Sequence, residues 1–141
     1  MNIADLREKA ESGSAVAQTI LGICYLNGVD VEVDYKEAFR FLSVAAGQDA
    51  SRAMVSLARM YSEGLGIPEN VPEAIRLYES AARAGEFLAQ VELGRIYSRG
   101  VDVQVNLDAA VRWYSAAVAQ EGRVTDCTEL REAKDYVASS S

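Results

Sequence analysis

The chain has no histidine, only two cysteines, two prolines, and fewer basic than acidic residues. Without imidazole there is no general base of the usual kind near neutral pH, no Ser-His-Asp triad and no histidine metal ligand, which argues against an enzyme. Cys24 and Cys127 stand far apart with no C-x-x-C pair, so they read as reduced thiols and not as a zinc site. Lys plus Arg number 14 against 21 Asp plus Glu, a formal charge of −7, which repels phosphate backbones and excludes a general nucleic-acid binder. No window approaches the roughly eighteen apolar residues of a membrane span, so membrane insertion is not expected. The opening stretch MNIADLREKAESG mixes Asp, Arg, Glu and Lys where a secretory signal needs an apolar run, and the expected location is cytoplasmic. There is no G-x-S-x-G, no Walker glycine loop and no Ser-x-x-Lys, and no cofactor or metal is expected. Glu63, Glu92 and Glu129 belong to different predicted helices and read as solvated faces, not a carboxylate pair.

What is present is a repeat with a period of 36 residues, found by writing 13–48, 49–84 and 85–120 under one another without a gap. Seven columns are identical: Ala17/53/89, Leu21/57/93, Tyr25/61/97, Gly28/64/100, Ala38/74/110, Arg40/76/112 and Ala45/81/117. Other columns keep their type, such as Val31, Ile67 and Val103, or Phe41, Leu77 and Trp113.

Ala, Leu and Tyr at i, i+4 and i+8 place three side chains on one face of a helix A that ends at the repeated glycine. Asp34, Asn70 and Asn106 stand where the N-cap of a helix B is wanted, with Glu37 and Glu73 three residues later as capping-box partners. The stripe of helix B reads Ala38, Phe41, Leu42, Ala45, then Ala74, Leu77, Tyr78, Ala81, then Ala110, Trp113, Tyr114, Ala117. Cys24 and the aromatic columns, Tyr61 and Trp113 among them, read as core. A lone hairpin cannot cover its apolar face, so neighbouring units must stack, and the expected fold is an all-α, right-handed α-solenoid of eight helices. Residues 1–12, with Ile3, Leu6 and Ala10 in phase, form an N-terminal half-repeat, and 13–48, 49–84 and 85–120 are the three repeats of one domain. Residues 121–141 hold a capping helix that opens with a box of Asp126 and Glu129.

The runs AQTILGICYLNGVDVEVDYKEAFRFLSVAAGQ, AMVSLARMYSEGLGIPENVPEAIRLYESAARAG and AQVELGRIYSRGVDVQVNLDAAVRWYSAAVAQEG resemble the SEL-one-like repeat family, relatives of the tetratricopeptide repeats. The pattern of A, LG, Y, G, a V-x-x-D turn, A, WY and AA covers about 110 residues by the 36-residue repeat count. A second turn glycine frequent in the family is kept as Gly66 and replaced by Asp30 and Asp102, which must then adopt a left-handed conformation. The disulfide pairs of the secreted branch are missing, and its penicillin-related activities are not carried over.

The resemblance implies an adaptor or scaffold that holds a partner protein segment on the concave face of the A helices. Immunity-type inhibition of a secreted effector, and regulation of bacterial signalling or envelope enzymes, are other roles it implies. Concave positions carried over through the Leu, Gly and Tyr columns are Val16, Arg52, Leu88; Thr19, Val55, Val91; Ile23, Arg59, Arg95; Leu26, Ser62, Ser98; and Asn27, Glu63, Arg99. The N-terminal part of this wall is apolar and its C-terminal part is rich in Arg, with Arg95 and Arg99 forming a like-charge i, i+4 pair. The expected partner is therefore a protein or peptide with an acidic or carboxylate part and an apolar part. A second reading is a self-associating module in which Val16, Ile23 and Leu26 make a homodimer. The Arg40, Arg76 and Arg112 column reads as ion pairing on the outer face, since Glu37 and Glu73 lie one turn earlier.

Overall fold

A computed structural model describes residues 2–100 and 103–140 of the protein. These residues form eight helices and no strand: α1 Ile3–Glu11, α2 Ala15–Asn27, α3 Tyr35–Gly47, α4 Ser51–Glu63, α5 Val71–Arg83, α6 Phe87–Arg99, α7 Leu107–Val118 and α8 Thr128–Ser139. A single isolated bridge, Glu121 to Val124, lies in the connection between α7 and α8. None of the helices is long and apolar enough to cross a membrane. The expected A helices are α2, α4 and α6, and the B helices α3, α5 and α7, each starting 36 residues after its predecessor. The chain falls into two compact units, residues 1–80 and 81–141, with α5 running over the boundary.

The repeated glycine ends each A helix as the column pattern requires. Gly28, Gly64 and Gly100 are C-caps at φ 71°, 65° and 67°, and their amides donate to the carbonyls of Cys24, Met60 and Ile96. At Gly28 a Cβ would also meet Val33 Cγ2 at 2.9 Å, so the turn is closed to larger residues on two counts. Asp30 adopts φ 61°, the left-handed conformation expected where Gly66 stands in the second repeat, whereas Asp102 lies outside the described residues.

Asp34, Asn70 and Asn106 are N-caps whose side chains accept from the amides of Glu37, Glu73 and Ala109 at 3.0–3.1 Å. The reciprocal half of the capping box is not formed. Instead the amides of Asp34, Asn70 and Asn106 each donate, at 2.9 Å, to the carbonyl of Tyr25, Tyr61 and Tyr97. The carboxylates of Glu37 and Glu73 are thereby released to pair with Arg40 and Arg76. Helix α8 likewise begins later than expected. Cys127 occupies its N-cap without a side-chain bond, and Asp126, one residue earlier, pairs with Arg131 at 3.2 Å.

In the first unit α2 packs on α1 and α3, and α4 packs on α3 and touches α2. Leu21, Leu42, Phe41 and Ala45 are buried, and Tyr25 stacks parallel to Phe41 with centroids 6.4 Å apart. Close approach of α2 and α3 depends on Gly22, where a Cβ would fall 2.6 Å from Leu42 Cγ. In the second unit α6, α7 and α8 enclose Phe87, Val91, Tyr114, Ala117, Leu130 and Ala133, and Gly94 faces the Tyr114 ring in the same way. Helix α8 packs on α7 and touches α6 as α4 does on α3 and α2. Two members of the aromatic columns are less buried than their neighbours suggest. Tyr61 is half-exposed, meeting Phe39 edge-on at 6.0 Å, and Trp113 is partly exposed on α7.

Both units carry a buried glutamine. Gln18 donates to the Ala10 carbonyl at 3.0 Å and accepts from Gln48 at 2.8 Å; Gln90 donates to the Ala82 carbonyl at 3.2 Å and accepts from Gln120 at 2.8 Å. Each glutamine thus gives a second donor to a carbonyl at the end of the preceding helix that already accepts from the amide of Gly13 or Gly85.

Tyr25→Ala is expected to cost about 3–5 kcal/mol, because a ring 8% exposed leaves a cavity that α2 and α3 cannot close. Tyr61→Ala should cost clearly less, and urea denaturation midpoints of the two variants check the order. Gln90→Ala should cost about 1 kcal/mol by removing one buried hydrogen bond each from the Ala82 carbonyl, which keeps the Gly85 amide, and the Gln120 amide, which keeps the Gly85 carbonyl. A midpoint equal to that of the unaltered protein would show that water replaces the glutamine at no cost.

Candidate functional site

In the first unit the expected wall residues come from α2 and α4. Val16, in the first turn of α2, is 71% exposed, the most exposed of the large apolar side chains described. Ile23 and Val55 are partly exposed, and Arg52, Asn27, Arg59 and Glu63 are exposed. Thr19 and Leu26 are not on the surface. The Thr19 hydroxyl donates to the Ala15 carbonyl at 2.8 Å, and Leu26 is 6% exposed, since the last turn of α2 rotates it into the hairpin core. Arg59 is not a free cation, because its Nε donates to Glu63 at 2.7 Å one turn along the same helix. Arg52 has no hydrogen bond or ion pair among the described residues.

Val16 also borders a groove of about 400 Å³ between α1 and α2, whose lining includes Asp5, Leu6, Lys9 and Ile20. No repeated column points to this groove. Its sequence signal is that Asp5 and Lys9 stand 36 residues before Phe41 and Ala45, so the apolar stripe of the B helices turns polar in α1.

In the second unit α6 supplies Leu88, 51% exposed, and Arg99, exposed and without a partner among the described residues. Val91 is fully buried against Tyr114 and Leu130 and so leaves the wall. Ser62 and Ser98 are half-buried and donate to the carbonyls of Arg59 and Arg95. Arg95 is held on two sides: Nη1 meets Glu92 at 2.5 Å and Nε meets Glu132 of α8 at 2.7 Å. Burial alone would lower the Arg95 pKa, but the hydrogen bond it donates to Glu132 and the charges of both glutamates outweigh it and raise the pKa. The Tyr114 hydroxyl donates to the same Glu132 oxygen at 3.2 Å. Burial first, then the Glu132 charge, pushes the phenol up to about 12. Glu132 has no equivalent among the repeated columns, so no spacing in the sequence links it to Arg95.

The outer-face arginines pair as their spacing implies, up to a point. Arg40 bonds Glu37 and Glu11 at 3.1 Å and lies over the Phe41 ring at 4.1 Å, and Arg76 bonds Glu73. Arg112 has Ala109 in place of the glutamate and no ion pair among the described residues. The Cys24 thiol is partly buried, and burial followed by the Asp30 charge raises its pKa, which disfavours the reactive thiolate. Among the described residues no group of three or more His, Cys, Asp or Glu side chains is placed to hold a metal ion.

The Sel1 repeat family model matches the chain three times, at residues 15–49, 51–86 and 88–121, one match for each A–B hairpin. The chain belongs to the Sel1 repeat family. The crystal structure of a Sel1 repeat protein from Oxalobacter formigenes is similar at 36% identity and TM-score 0.76, over 94% of this chain and 96% of that one. A second similar structure is c5321, a protective antigen present in uropathogenic Escherichia coli strains that displays an SLR fold. It is 31% identical with TM-score 0.78 over 99% of this chain, which spans 33% of that longer protein. No curated protein matches the sequence. The fold class is thus the all-α helical-repeat solenoid of Sel1 proteins, which act generally as protein-interaction modules.

The raised Tyr114 pKa gives a titration with a definite sign. A phenol that ionises near 12 when folded and 10 when unfolded contributes stability that is complete below pH 10 and lost as pH rises through 12. Ultraviolet titration of tyrosinate should show a late-ionising group that Tyr114→Phe removes. Ionisation of every tyrosine near pH 10 would contradict the buried contact with Glu132.

Proposed function

We propose that this Sel1 repeat chain is a non-catalytic binding module that holds a segment of another protein on its A-helix surfaces. The observation that carries this reading is the exposed apolar and cationic surface of α2 and α4: Val16 at 71% exposure, Ile23 and Val55 partly exposed, and Arg52 without a partner among the described residues. Asn27, Ser62 and Glu63 border it with polar groups. In the second unit Leu88, Ser98 and Arg99 offer the same mixture on α6. A guanidinium can hold a carboxylate through two parallel hydrogen bonds, so the partner segment carries a carboxylate, as an acidic side chain or a chain terminus, beside an apolar anchor. Charge would mainly set the rate and orientation of encounter, and apolar burial the residence time.

Val16→Asp combined with Arg52→Glu should abolish capture of a specific protein from the native cell lysate without altering helicity. Arg112→Glu, on the outer face, should leave capture intact. Capture lost with Arg112→Glu and kept with Val16→Asp and Arg52→Glu would move the working surface to the B helices. Light scattering separates the self-association alternative, since a dimer that Val16→Asp dissolves would make a second copy the occupant.

A further inference from the structure

Arg95 lies in the same repeat column as Ile23 and Arg59, on the surface assigned above to a carboxylate-bearing partner. Its guanidinium already holds carboxylates. Glu92, on the same helix, takes Nη1, and Glu132 crosses from α8 to take Nε at 2.7 Å, leaving the Arg95 side chain 23% exposed. Glu132 is also the acceptor of the Tyr114 hydroxyl, and Tyr136, one turn further along α8, meets the Tyr114 ring at 4.7 Å. We propose that Glu132 is an internal competitor: α8 presents to Arg95 the group that a partner's carboxylate would present, and the partner gains Arg95 only by displacing it. The inference rests on the carboxylate-binding reading of the A-helix surface.

The placement of α8 supports a releasable contact. Its only fully buried side chains are Leu130 and Ala133, and its N-cap, Cys127, makes no side-chain bond. The preceding segment 119–126 is exposed apart from Gln120 and Val124, which are partly buried. Glu132 can swing away from Arg95 by side-chain rotation while Leu130 and Ala133 stay in the core. Arg59, one repeat earlier, has only a partner four residues along its own helix, so the second unit carries a constraint that the first lacks.

The test uses the full chain labelled with ¹⁵N and a hexaglutamate peptide with blocked ends as probe. The side-chain Nε–H resonances of the arginines are followed, with Arg95 assigned by its loss in Arg95→Lys. In the unaltered protein, Arg52 and Arg99 should shift on titration and Arg95 should stay in place. In Glu132→Gln, Arg95 should shift with them, and the peptide should bind about tenfold more tightly, the size of one lost charged competitor. Glu132→Asp, which keeps the charge on a shorter stem, should fall between the two and serves if Glu132→Gln loosens α8 as judged by helicity. Arg95 unmoved in Glu132→Gln while Arg52 and Arg99 shift would overturn the competition and leave the carboxylate reading standing. Equal Arg95 shifts with and without Glu132 would also overturn it. If no arginine shifts in either protein, the carboxylate reading fails and the competition fails with it.

Discussion

Each hairpin turns on one hydrogen bond, from the N-cap amide of a B helix to the carbonyl of the tyrosine eight residues after the repeated alanine. Asp34, Asn70 and Asn106 make it at the same 2.9 Å to Tyr25, Tyr61 and Tyr97. The bond removes an exposed donor at the start of one helix and an unsatisfied acceptor at the end of the other. It also fixes the register of the pair. The left-handed glycine three residues after the tyrosine has to bring the chain back at this height, and from there Leu42 and the Tyr114 ring meet the notches at Gly22 and Gly94. Had the capping box closed on itself, the tyrosine carbonyl would have lost this partner and Glu37 would not be available to Arg7 and Arg40.

The fold was legible because every element leaves a mark at a fixed interval: a small residue where helices touch, a glycine where one ends, an Asp or Asn where the next begins. These are local requirements of backbone geometry, and sequence spacing reports them directly. The buried glutamines show where that legibility stops. Gln18 and Gln90 stand two repeats apart, as do Gln48 and Gln120, while the second repeat has Met54 and Ala84 in those positions. A feature that skips a repeat does not rise out of a column comparison, although the 30-residue interval within each pair was there to be read.

The candidate surface was less legible for two physical reasons. Transfer of columns fixes a residue's place along a helix but not how far its neighbours cover it, and so Thr19, Leu26 and Val91 turned out to lie inside the packing. The other reason is charge. An ion pair within one helix can be read from spacing, as between Arg59 and Glu63 or Arg95 and Glu92, but Glu132 is 37 residues from Arg95 and belongs to a helix outside the repeat register.

On a chain of net charge −7, cationic groups are scarce, and how they are distributed among internal and external partners decides what the surface can do. The outer face ties Arg40 and Arg76 to glutamates one turn away on their own helices, and Arg7 of α1 to Glu37 of α3, so these cations are spent inside the molecule. The A helices keep Arg52 and Arg99 unpaired among the described residues while Arg59 and Arg95 are paired. Exposed pairs such as Arg59 with Glu63 are worth little to stability in water, so giving one up to a partner's carboxylate costs little. A partly buried pair such as Arg95 with Glu132 is different, because separating it leaves two charges to be resolvated or re-paired. The same residue types in one column thus differ in what they can exchange, and the difference comes from α8, the helix whose residues lie outside the three matched repeats.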